Sequence, residues 1–152
     1  MEREKDPEPM LGALLRVSFQ AVSARILADL HAAGFTDLRL SHLVVFQHLA
    51  FAGSRVTDLS ERAEITKQSM SALVDHLVVG GYLERSVDPE DGRAKIIRRT
   101  ERGMLLEQNA RASIVALKEE WASALGAERL AECLAFLLDL AELLDRQSAS
   151  NH

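Results

Sequence analysis

The stretch "YLERSVDPEDGRAKIIRRTERG", residues 82–103, decides how the rest of the chain is read. Two short β-rich runs, 82–87 and 94–100, read as strands. Between them Asp88, Pro89, Asp91 and Gly92 supply turn chemistry, so the segment is a hairpin. Positive charge crowds toward its second half, from Arg93 through Lys95, Arg98 and Arg99 to Arg102. The sequence on both sides has helical periodicity. A charged hairpin inside a helical chain calls for a reason.

Just upstream, "TKQSMSALVDHLVVGGYL" (66–83) opens on Thr66 as a helix cap and stops at Gly80 and Gly81. Met70, Leu73, Val74 and Leu77 form its buried stripe, which leaves Gln68, Ser69, Ser71, Ala72, Asp75 and His76 on the outer face. "VTDLSERAEI" (56–65) precedes it as a short helix capped by Thr57, with Leu59 and Ala63 inward. Two short helices meeting at a tight break make a helix-turn-helix. Before them, "LRLSHLVVFQHLAF" (38–51) gives a helix with Leu40, Leu43, Val44 and Leu49 inward. The first helix, from Met10 to about Ala33, carries one stripe of Leu11, Leu15, Phe19, Val22, Ile26 and Leu30, and Gly34 ends it.

Beyond the hairpin, Thr100 caps a long helix that runs to about Leu125, and Gly126 interrupts it. A last helix, from Ala127 to about Gln147, has two apolar stripes, Leu130, Leu134, Leu137, Leu144 and Cys133, Phe136, Leu140, Leu143. The expected fold is mainly α: a winged helix-turn-helix region at 35–100, helices at 1–34 and 101–147, and a disordered tail at 148–152. Helices apolar over most of their circumference must be covered. The available cover is a second copy of the chain, so the outer helices are expected to form a homodimer interface.

At 152 residues and 47% hydrophobic, the chain is large enough for one domain with a real core. No stretch holds 18–20 uninterrupted apolar residues, and "MEREKDPEPM" is charged where a signal peptide is apolar. A cytoplasmic protein without a membrane partner is expected. The single Cys133 excludes an intrachain disulfide and a cysteine-built zinc site, and its helix suggests a small core residue. His31, His42, His48, His76 and His152 include no i, i+4 pair, so no metal is expected. There is no Gly-rich phosphate loop and no nucleophile with a placed base, so neither catalysis nor a cofactor is expected. The net charge is −5, yet residues 55–102 hold nine basic and nine acidic side chains. The acidic excess lies elsewhere, and local potential, not the total, decides whether phosphate can approach.

With these residues assembled, the chain resembles the MarR-type bacterial transcription regulators. Gly81, Tyr82, Leu83 and Arg85 end a stretch similar to the family's helix-turn-helix. Asp88, Pro89, Asp91, Arg93, Ala94, Thr100 and Gly103 fill the positions of its wing signature, Asp-Pro-x-Asp-x-Arg-[small] followed by a strand and Thr-x-x-Gly. Two departures stand out. Arg99 replaces the usual Leu before the capping Thr, and Ala72 and His76 stand where many members have Arg.

The resemblance implies a homodimeric regulator, a repressor on double-stranded DNA, with the exposed face of 67–79 in the major groove. Lys67, Gln68, Ser69, Ser71, Ala72 and His76 are the candidate contacts there. At the wing, Arg93 suits a narrow minor groove, with Asp91 holding its guanidinium, and Arg98 is a further phosphate contact. By the same analogy Arg16, Phe19, His42 and Phe46 would wall a pocket for a small aromatic or phenolic effector, or Phe19 and Phe46 are simply core. Two other readings remain: a winged-helix module for protein–protein assembly, and a small-aromatic-binding protein that does not touch DNA.

Overall fold

The structure is a computed structural model describing residues 10–150, so the charged leader at 1–9 and the final Asn151 and His152 lie outside the described residues. The elements run α1 (Leu11–Ala32), α2 (Leu40–His48), α3 (Val56–Ala63), α4 (Lys67–Val79), β1 (Leu83–Val87), β2 (Lys95–Arg99), α5 (Glu101–Leu125) and α6 (Ala127–Ser150). This is the expected mainly α winged helix-turn-helix. The strands pair antiparallel with Arg85 opposite Ile97. Ser54 adds a one-residue bridge on the other side of Ile97.

Local chemistry sets most of the corners. Thr66 caps α4, accepting the Ser69 N–H at 3.1 Å and donating to its hydroxyl at 2.8 Å. Thr100 caps α5 by accepting the Gly103 N–H at 3.1 Å. Thr57, expected to cap α3, is instead its second residue, and Arg55 takes the cap position with no side-chain bond to the helix. The turn between α3 and α4 passes through Glu64 at φ 54°, the one non-glycine among the described residues with positive φ. That geometry crowds its Cβ and is tolerated because the turn needs it.

The chain divides into two compact units, with the boundary inside α5 between Ser113 and Ile114. In the first unit Leu30 and Phe35 meet Leu43, Val45, Leu59, Met70, Val74, Leu77, Tyr82, Ile97 and Leu106 in one core. Leu40, expected to point inward, is 48% exposed. The second half of α1 belongs to this core, with Ile26 and Leu27 packed against it. By length and composition alone, α1 is long and apolar enough to cross a membrane, although Arg16 and Arg25 interrupt it. Asp29 ties it to α5, accepting from Arg25 at 2.9 Å and from the buried Ser113 hydroxyl at 2.5 Å.

In the second unit Gly126 breaks the helix, and Val115 and Ala122 border a shallow apolar groove with Leu130 and Leu134. No residue of α6 is buried within the single chain. Cys133, expected in a core, is therefore exposed. Helix α6 also continues through Ser148 to Ser150, where a disordered tail was expected.

Two glycines are required by close approach. A Cβ on Gly53, at φ +105°, would sit 2.8 Å from the Ile97 carbonyl oxygen, and one on Gly103 would sit 2.1 Å from that of Tyr82. Both neighbours are backbone and cannot swing away. Gly103→Ala is expected to lower stability by roughly 1–3 kcal/mol through overpacking. Gly92→Ala, with open space around it, should change stability by less than about 0.5 kcal/mol. Urea midpoints of the two variants test the contrast.

Candidate nucleic-acid interface

The outer face of α4 is presented as the spacing implied. Lys67, Gln68, Ser69 and Ala72 are exposed and Ser71 is half-buried, while Met70, Val74 and Leu77 fix the helix to the core. Gln68, Ser71, Ala72, Asp75 and Val79 fall on one strip at steps of three and four. Val79 is 89% exposed at its far end. Asp75 is not a free carboxylate, since Arg85 of β1 reaches across to pair with it. Ser69 shares its hydroxyl with Thr66 and so serves the cap as well as the surface.

His76 departs from expectation. Its ring lies flat against His42, with centroids 4.1 Å apart, and Nε2 is 3.0 Å from the Asp37 carbonyl oxygen. It anchors α4 to the start of α2 and is not a side chain free on the outer face. His42 is buried, and burial first, then the neighbouring His76, holds its imidazole below the ordinary histidine range.

The wing is held at its base and open at its tip. Asp88 is buried and is gripped by the Arg55 guanidinium at 2.7 and 2.8 Å. It also accepts the Glu90 N–H at 2.9 Å. The Glu90 N–H foremost, then Arg55, holds its carboxyl below the usual range. Asp91 does not hold the Arg93 guanidinium. Its carboxylate accepts the Arg93 backbone N–H at 3.1 Å and faces Arg55 at 3.9 Å. The exposed Arg93 guanidinium has no hydrogen-bond or ion-pair partner among the described residues. Its reach is therefore unspent within the chain.

The remaining arginines divide sharply. Arg99 donates to the Leu49 and Ala50 carbonyls, both at 2.8 Å, and pairs with Glu107 at 2.7 Å. A guanidinium fork thus closes the end of α2. Arg102 lies over the Tyr82 ring, 4.6 Å from its centroid. Arg98 is half-buried and borders a polar cleft of about 570 Å³ with Arg55, Asp58, Asp88 and Glu90. Its Nε has no partner.

The four residues expected to wall an effector pocket are spread over α1 and α2. Phe19 lines a narrow groove of about 230 Å³ between α1 and α2, with Gln20, Ser23, Leu40, Val44 and Gln47. Arg16 is exposed and bonded to Gln20 at 3.3 Å. His42 lies in its stack with His76, and Phe46 packs against the core. Sequence reasoning missed the anchoring roles of Arg55, Asp37 and Arg99. Only Asp88 carried a local signal, the Asp-Pro of the wing.

These features define a winged helix-turn-helix that presents an exposed Arg93 on its wing and an exposed polar face on α4. Residues 33–94 match the model of the MarR family. Its fold is similar to wild-type MarR of E. coli in the apo form, at 19% identity and a TM-score of 0.71, covering 88% of this chain and 98% of that one. It is also similar to the transcriptional regulator Tm0710 of Thermotoga maritima, at 23% identity and 0.64, covering 91% and 96%. A MarR-family regulator from Rhodococcus sp. RHA1 matches at 23% and 0.64, covering 86% and 93%. No curated protein matches the sequence.

The wing anchor carries a pH dependence of definite sign. Because the Asp88 carboxyl is depressed, its contribution is present above about pH 4 and is lost as pH falls through its folded value. Amide exchange of the Asp88 and Ala94 N–H groups, followed as protection factors, should rise below pH 4. Asp88→Asn should show that loosened wing already at pH 6.

Proposed function

We propose that this chain is a homodimeric, sequence-specific DNA-binding regulator, a repressor on a pseudo-palindromic operator, released by a small-molecule effector. The observation that carries this reading is the unpartnered Arg93 guanidinium on an anchored wing, close in sequence to an α4 face of small polar groups. An arginine so placed suits the enhanced negative potential of a narrow minor groove. Gln68 and Ser71 can hydrogen-bond base edges in the major groove, and Lys67 with the α4 N-terminus suits phosphate. Ala72 can meet a thymine methyl by apolar contact, and Arg98 and Ser69 add backbone contacts. Asp91 contributes by shaping the tip, and His76 by fixing α4.

Two exposed apolar surfaces support the dimer. One is on the first turns of α1, at Leu11, Leu14, Leu15 and Phe19, and the other is on α6, at Phe136, Leu138, Leu143 and Leu144. A two-fold assembly places its recognition helices about 34–36 Å apart to reach successive major grooves. The Phe19 groove suits one small aromatic or phenolic ring, since a cavity of about 150 Å³ already admits benzene. A ligand that binds one helix spacing better shifts the population away from the other.

Selection from random duplexes, followed by anisotropy titration, tests the reading. Arg93→Ala should weaken binding by roughly 1–3 kcal/mol, about 5- to 150-fold, without lowering the unfolding midpoint. Affinity should fall steeply with salt as counterions are released. Unchanged affinity in both Arg93→Ala and Ser71→Ala would rule this docking out. Sedimentation at micromolar concentration should show a dimer, and a folded monomer would count against the assembly.

A further inference from the structure

Helix α4 is joined to the start of α2 by two histidines, and the hydrogen bonds around them assign a proton to each ring. His42 Nδ1 accepts the Arg39 N–H at 2.9 Å, so its own proton is on Nε2. This is the reach-back contact of a capping box, made by a histidine where Glu or Gln is usual. His76 Nε2 faces the Asp37 carbonyl oxygen at 3.0 Å, and a carbonyl only accepts. His76 therefore also carries its proton on Nε2. The rings are nearly parallel, 7° between planes, with centroids 4.1 Å apart.

Neither ring can gain a second proton without consequence. A proton on His42 Nδ1 would point at the Arg39 N–H and abolish the cap of α2. With a second proton on His76 as well, two imidazolium rings would face each other at stacking distance, a like-charge contact. We propose that the His42–His76 stack is a proton-operated latch: closed while both rings are neutral, it holds α4 against the start of α2, and acid opens it.

The surroundings favour the closed form. Asp37, in the connection from α1 to α2, is the acidic group facing the pair, and Arg39 and the opposite ring are the basic ones. The Asp37 carboxylate is engaged by the Tyr82 hydroxyl at 2.5 Å, with Arg102 above that ring, and Asp75 on α4 is paired with Arg85. Burial of His42 outweighs the attraction of Asp37, and its imidazole is depressed. A base depressed in the folded state contributes stability that is full above its ordinary value of 6.5 and is lost as pH falls through the folded value. The latch itself does not rest on the DNA-binding reading; only its effect on DNA affinity does.

The test uses the full chain between pH 7.5 and 5.5, with histidine ring resonances and amide protection factors read together. Both rings should show the Nε2–H form at pH 7.5. Protection of the Arg39 amide should fall at least about tenfold at pH 5.5, in step with His42 titration. His42→Gln keeps an acceptor without a titrating ring, so its Arg39 protection should stay flat. A flat wild-type profile, or an equal fall in H42Q, would overturn the latch. His76→Gln gives a second readout, since loss of the facing ring should move His42 titration to higher pH; no movement overturns the coupling. Selected DNA should bind the wild type more weakly at pH 5.5 and H42Q equally at both. A chain that binds no DNA at any pH defeats the regulator reading, while the exchange profiles still decide the latch.

Discussion

Tyr82 is the knot on which the first unit depends. Its ring is fully buried against Phe35, its hydroxyl donates to Asp37, and Arg102 lies over its face. Its N–H closes the end of α4 on Leu77, and its carbonyl accepts the Thr100 N–H. One residue thus joins the end of α4, the start of β1, the approach to α2 and the first turn of α5. A buried phenol needs a partner for its hydroxyl. The hydroxyl of Tyr82 lowers the Asp37 carboxyl, while burial and then Asp37 raise the phenol, so the hydrogen bond stays between an ionised acid and a neutral donor. Gly103 is the counterpart of this arrangement, since only a residue without a side chain lets α5 lie on that carbonyl.

The hairpin gains its rigidity from outside itself. Two strands of five residues are too few to stand alone. Ser54 extends the sheet by one bridge, Arg55 grips Asp88, and Arg99 grips the end of α2. Each of these contacts ties the wing to the helix-turn-helix. With Arg102 over the Tyr82 ring, two of the segment's arginines, Arg99 and Arg102, are spent on structure. Positive charge that looked like one patch in the sequence is therefore divided, with Arg99 and Arg102 bracing the fold and Arg93 and Lys95 left exposed.

What could be read from the sequence was local in the chain. Thr66 and Thr100 declare their helices because a cap acts on the residue three positions later. Met70, Val74 and Leu77 declare their buried face by spacing. What escaped joins residues far apart: Arg55 to Asp88, Asp37 to Tyr82, Arg99 to Leu49, and His42 to His76. No periodicity encodes a partner thirty or more positions away. Asp91 was misread for a related reason, because nearness to Arg93 suggested a side-chain pair where the carboxylate in fact closes a turn on the backbone N–H. Thr57 was misread as a cap because a suitable residue type does not show that the backbone begins its helix there. Cys133 and the apolar stripes of α6 are exposed in the single chain, since spacing identifies an apolar face and not what covers it.

The anchoring of Asp88 has a consequence for how the wing tip meets any surface. With both ends of the hairpin pinned, conformational freedom is left to the few residues around Glu90 to Arg93. Ordering a residue's backbone costs about 1–2 kcal/mol, so docking this loop immobilises a handful of bonds where an untethered arm would freeze many. The arginine at the apex behaves as a short probe on a stiff mount, gaining reach with little entropic penalty.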